Sequence, residues 1–110
     1  MKNPTKFKVN FLTYDIEYID SEIEEEMEIY GKCLYSENKI QLSKDLSIEY
    51  MKKTLVHECL HAIFEMYGIN QNENKIDLLS TCIVEFIKLN PEIIEWILNK
   101  GNQIEKWISR

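Results

Sequence analysis

Three features of the chain predict an α+β fold. Apolar residues alternate through the first half, the period changes to that of a helix at Ser47, and turn residues punctuate both parts. Residues 6–20, KFKVNFLTYDIEYID, alternate imperfectly and are rich in Phe, Tyr, Val and Ile, which predicts a strand that bends midway. The next stretch, SEIEEEMEIYG, holds five glutamates between positions 22 and 28. It reads as a solvated helical turn or loop, with Ile23, Met27 and Ile29 touching the core. A surface for cations or for a basic partner is the functional reading of the same charges. Gly31 resets the chain, and GKCLYSENKIQLS predicts a hairpin. Its turn is Ser36 to Lys39, and Cys33, Tyr35, Ile40 and Leu42 lie in its strands.

The helical half begins with Ser47 or Asp45 as cap and stops at Gly68 after Tyr67. A polar link, Asn70 to Asn74, leads to a second helix. There Ile76, Leu79, Ile83 and Phe86 have the spacing of a buried stripe. Asn90-Pro91 is a cap with proline at the first helical position, so a third helix should run from Pro91 to Gly101. Ile104, Trp107 and Ile108 supply enough apolar surface for a short last helix to dock.

With 110 residues the chain should form one domain spanning 1–110. Its 45 % apolar and 29 % charged residues are those of a globular protein and exclude disorder as the global state. A net charge of -6 argues against nucleic acid as a main partner, because phosphate binding wants a basic patch. Lysines 2, 6 and 8 precede no continuous apolar stretch, so no signal peptide is expected. No segment is long enough to span a bilayer. Cys33, Cys59 and Cys82 are too far apart for a zinc ribbon, and their odd number fits a disulfide framework poorly. Buried reduced thiols in a cytoplasmic protein are the expectation.

The chemistry sits in the first helix, in His57-Glu58-x-x-His61. Residues four apart are one turn apart, so both imidazoles can reach one ion. Glu58 lies beside them, where it can hydrogen-bond a water on the metal. Zinc lowers the pKa of such a water, and a carboxylate can then take its proton. Three fixed positions recur by chance, so the rest of the helix matters. With His57 at zero and roughly 100° per residue, the sector from 0° to 100° holds Tyr50, Thr54, His57, Glu58, His61 and Glu65. The opposite side is apolar from Met51 to Tyr67 and is broken only by Lys52. Both histidines of the protein therefore lie on one narrow polar stripe, and Cys59 falls in the core behind it.

Two histidines leave a zinc site short of a protein ligand. The next helix offers Glu73 and Asp77, two acids one turn apart. The pair resembles the glutamate-zincin arrangement, in which the first acid ligates the metal and the second supports a ligand histidine. That likeness makes Glu73 the third ligand and Asp77 the support. Asp77 is the main rival for the coordination and Glu85 a distant one. The ordinary reading of Glu73 is a helix cap partnered by Asn70.

Gly31 to Leu42 followed by Thr54-Leu-Val-His-Glu-Cys-Leu-His-Ala resembles the core of ImmA/IrrE-type metallopeptidases. There a glycine-led strand pair precedes T-x-x-H-E-x-x-H, and the next helix begins E-x-x-A-N/D-x-F-A. Here that second pattern falls on Glu73, Ile76, Asp77, Leu79 and Ser80, keeping both acids and replacing both alanines. Small phage-encoded metallopeptidases are more similar still, including Asn90-Pro91 after the second helix. The resemblance covers roughly residues 31–92 and departs from the family in the short connection between His61 and Glu73. It implies a minimal zincin-like domain: a small antiparallel sheet on the active-site helix, with two or three further helices. It also implies an intracellular zinc peptidase of a phage or mobile element acting on a protein or peptide substrate, with Glu58 as general base. Strands 33–42 would form a wall of the cleft. Tyr35, Tyr50 and Tyr67 are the candidates for stabilising an oxyanion. The rival reading is a latent zinc-binding or interaction protein that acts by occupying a host factor through its acidic 22–28 segment.

Overall fold

The computed structural model describes residues 2–24 and 27–99. The strands are β1 (Lys6–Val9), β2 (Leu12–Ile19), β3 (Glu22–Glu24), β4 (Met27–Ile29), β5 (Gly31–Leu34) and β6 (Lys39–Ser43). The helices are α1 (Ile48–Tyr67), α2 (Glu73–Leu89) and α3 (Pro91–Leu98). The α+β class is as expected, with a four-stranded sheet and three helices.

Four strand expectations change, the smallest at Tyr35, which opens the 3-10 turn Tyr35–Glu37 between β5 and β6 and does not lie in a strand. Residues 6–20 are two strands, not one bent strand. They are joined at Asn10-Phe11, where Asn10 takes a left-handed conformation (φ 53°) that asparagine tolerates. The acidic stretch, expected as a helical turn or loop, has its backbone in a two-stranded antiparallel ladder, β3 with β4. The main sheet is mixed and not antiparallel. Its order is β1-β2-β6-β5, and β6 runs parallel to β2. The physical reason lies in β6, whose Ile40 and Leu42 are fully buried. They take the inner position, and β5 is left at the edge. Fully burying each side chain contributes about 1.5–3 kcal/mol.

Alternation gives the sheet two unlike faces. Tyr14, Ile16, Ile40 and Leu42 form one core with Val9, Met51 and Ala62, and Leu55, Cys59, Ile63 and Met66 of α1 pack against it. On the other face the Gln41 side chain donates to Glu17, and Lys39 lies 3.6 Å from the same carboxylate. The apolar side of α1 thus sits on the sheet, and its polar stripe is turned away.

The Ser47 hydroxyl caps α1 by accepting from the Tyr50 amide, and Gly68 ends the helix with φ 65°. Asn72 caps α2 by accepting from the Lys75 amide, so the Glu73 side chain is not the cap. The buried face of α2 differs from the expected stripe. Ile76 and Ser80 are buried and Ile83 is half-buried, but Leu79 and Phe86 are exposed. Ser80 explains the rotation: a small side chain, its hydroxyl donated to the Asp77 carbonyl, lets α2 approach α1 closely. The third helix stops at Leu98, short of Gly101, and the expected docking of Ile104, Trp107 and Ile108 lies outside the described residues. Among the described residues no helix is long and apolar enough to cross a membrane.

Candidate metal centre

The packing of α2 beside α1 brings the two motif halves together. Both helices carry their polar groups at i and i+4, so His57 and His61 face Glu73 and Asp77 turn against turn. His57 Nε2 lies 2.6 Å from one Glu73 oxygen, and His61 Nε2 lies 2.9 Å from the other. The second ring nitrogens are also occupied. His57 Nδ1 is 3.2 Å from Asp77 Oδ1, and His61 Nδ1 is 2.7 Å from Gln71 Oε1. Lys53, one turn before His57, reaches Asp77 at 3.5 Å.

Gln71 was not legible as a functional residue, and the structure makes it the counterpart of Asp77. Its amide nitrogen donates to Glu65 at 3.0 Å, and Tyr35 donates its hydroxyl to Oε1 at 2.9 Å. A carboxylate only accepts, so the amide nitrogen must face Glu65 and the oxygen must face His61. The sequence signal was slight: one glutamine in a polar linker, with a ligand histidine in need of a partner.

When each Nδ1–H is donated, to Asp77 on one ring and to Gln71 on the other, each Nε2 turns its lone pair towards Glu73. Two lone pairs and a carboxylate pointing at one another require positive charge among them, either a proton on each ring or a cation. The three groups offer ligand atoms within 4.8 Å of one another, so they could hold a metal ion. Two neutral imidazoles and a carboxylate are a donor set that suits zinc. Asp77 stands behind His57 and not with the converging atoms. Glu85 lies along α2 on the wall of a separate groove.

Glu58 takes a different place. It is 8 % exposed and stays out of the network that ties the histidines to α2. Burial pushes its carboxyl above the ordinary glutamate value, and nearby Glu73 adds to this, while His57 and His61 pull the other way. It lines a cleft of about 210 Å³ with His57, Glu73, Tyr50, Tyr30 and Gly31. Gly31 opens β5 against the helix, and a Cβ there would stand 2.8 Å from Thr54 Cγ2 and 3.2 Å from Glu58 Cγ. Only glycine lets the strand approach this closely.

Of the three tyrosines, Tyr50 lines the cleft, edge-on to Tyr30 at 5.3 Å. Tyr35 is engaged with Gln71, and Tyr67 is exposed at the end of α1. Cys82, expected to be buried, is exposed, whereas Cys33 and Cys59 sit behind the site, where burial first, then Glu58 for Cys33 and Cys33 with Glu58 for Cys59, push each thiol up to about 12. They are neutral at physiological pH, unlike the thiolates that bind metal. In comparisons with family models, curated proteins and solved structures, nothing matches this chain.

Proposed function

We propose that the protein is a zinc-dependent peptidase of the minimal zincin-like type, with His57, His61 and Glu73 holding the ion. One observation carries the reading. The Nε2 atoms of two histidines converge on one carboxylate, and a second, buried carboxylate, Glu58, lines the same cleft as His57 and Glu73.

The bound ion would supply a Lewis acid that makes a water acidic near neutral pH. The chain does the rest. Asp77 and Gln71 hold the two imidazoles in register. Glu58 accepts a proton from the attacking water as the water oxygen bonds to the peptide carbonyl carbon. When the carbon–nitrogen bond breaks, Glu58 returns that proton to the departing amine. Tyr50 on the cleft wall is the side chain we assign to the carbonyl oxygen of the substrate. The end strand β5, whose Gly31 lines the cleft, would take an extended peptide as an added strand.

The test is hydrolysis of a peptide library by zinc-loaded wild type and Glu58→Gln. The variant keeps the shape, so zinc and fold should persist while cleavage falls by orders of magnitude. Equal cleavage by both would exclude Glu58 as the base. A partner bound equally by both and cut by neither would favour the interaction-protein reading.

A further inference from the structure

Lys53 stands at a junction. It lines the cleft that holds His57, Glu58 and Glu73, and with Thr81, Val84, Lys88 and Leu89 it also lines a second groove of about 270 Å³ between α1 and α2. Among the described residues lining the cleft it is the one lysine or arginine. Its place follows from helix spacing. Four residues before His57, it stands one turn, about 5.4 Å, along α1 from the metal centre. An extended peptide rises about 3.3 Å per residue, so Lys53 can meet a substrate residue within two positions of the bond at the ion.

The hydrogen-bonding capacity left in the cleft belongs to Lys53. In the proposed peptidase each acid there is engaged: Glu73 with the ion, Glu58 with the water, and Asp77 with His57 Nδ1 at 3.2 Å. Lys53 meets the same Asp77 oxygen at 3.5 Å, well beyond the about 2.7–2.9 Å of a tight charged pair. Its Nζ lies 6.0 Å from the centre of the Tyr50 ring, at the limit of a cation–π contact. An ammonium has three donors, and this side chain is 31 % exposed, so donors remain for an incoming group. A substrate that covers Lys53 strips water from its charge, and a carboxylate offsets that loss as a neutral carbonyl does not. Elsewhere in the cleft Glu58, Glu73 and Asp77 repel a carboxylate, so the preference is local to Lys53.

Resting on the peptidase reading, we propose that Lys53 sets specificity by pairing with an aspartate or glutamate of the substrate within two residues of the scissile bond. The groove runs on past Lys53 along Val84, Lys88 and Leu89, which leaves room for the chain to continue. The recognised carboxylate is therefore that of a side chain and not the end of the peptide. Lys88 is paired with Glu49, and Glu85 also lines the groove, so Lys53 is where the negative charge is received.

The test uses a random-sequence peptide library, acetylated and amidated so that all its carboxylates are on side chains. The zinc-loaded full chain digests it, and mass spectrometry reads the cuts. Asp and Glu within two residues of the cut should be favoured over Asn and Gln about tenfold or more, the worth of a hydrogen bond to a charged group. Lys53→Gln should erase that ratio, and Lys53→Glu should turn the preference to Lys and Arg. A ratio near one in wild type would overturn the proposal and leave the peptidase standing. If Lys53 merely holds Asp77, both substitutions slow every cut alike and the ratio stays, which overturns it too. Cleavage confined to peptides with a free C-terminus would overturn the assignment to a side chain. If no peptide is cut, the peptidase reading fails, and retention of the same library on immobilised zinc-loaded protein decides the pairing. Wild type should then hold acidic peptides and Lys53→Glu basic ones. Retention without regard to charge, or none, would refute the role of Lys53.

Discussion

His57 Nε2 and Glu73 Oε1 lie 2.6 Å apart across the gap between α1 and α2. The contact joins two residues sixteen positions apart and fixes which face of each helix meets the other. Around it His61, Asp77 and Gln71 each have a partner as well, so the consequences of disturbing the site can be stated residue by residue.

Gly31 is the first case. A methyl group there must displace Thr54, Glu58 or Leu42, all three part of a packed interface. Overpacking of this kind costs about 1–3 kcal/mol. Gly31→Ala should therefore lower the urea midpoint by a matching amount without changing the slope. Unaltered stability would show that β5 can move away from α1 freely.

Gln71 is the second. It holds His61 as Asp77 holds His57, and supporting partners of ligand histidines are worth roughly 10–100-fold in metal affinity. Gln71→Leu should weaken zinc binding by about that factor while the fold persists, read by competition with a chromophoric chelator. Wild-type affinity in this variant would reduce Gln71 to a surface contact.

Glu58 gives a test without any metal. Its carboxyl is pushed up chiefly by burial, so the folded state favours the protonated form. A raised folded pKa contributes stability that is complete below the unfolded value of 4.5 and is lost as pH rises through the folded value. Metal-free Glu58→Gln, which does not titrate there, should accordingly be more stable than metal-free wild type at pH 7. The advantage should shrink as pH falls towards 4.5. Urea denaturation at the two pH values measures it, and a gain that grows on acidification would reverse the assignment.

The sequence made some of this legible for a definite reason. His57, Glu58 and His61 were readable because helix geometry fixes i and i+4 neighbours, and the same rule placed Glu73 and Asp77 on one side of α2. Alternation picked out Ile40 and Leu42 of β6, but not which strand lies next to which, so the parallel pairing with β2 was not readable. In α2 two apolar stripes compete, one through Ile76 and Ile83 and one through Leu78, Phe86 and Leu89. Periodicity cannot choose between them, and the small Ser80 does. Gln71 depends on a tertiary contact across the α1–α2 turn, which no local pattern encodes.

X-ray absorption at the zinc edge reads whether His57, His61 and Glu73 bind zinc together. Wild type should bind one zinc per chain with two imidazole nitrogens at roughly 2.0–2.1 Å and oxygen completing the shell. His57→Ala should lose that signal. Sulfur at about 2.3 Å, or full zinc occupancy retained in His57→Ala, would rule out this ligand set.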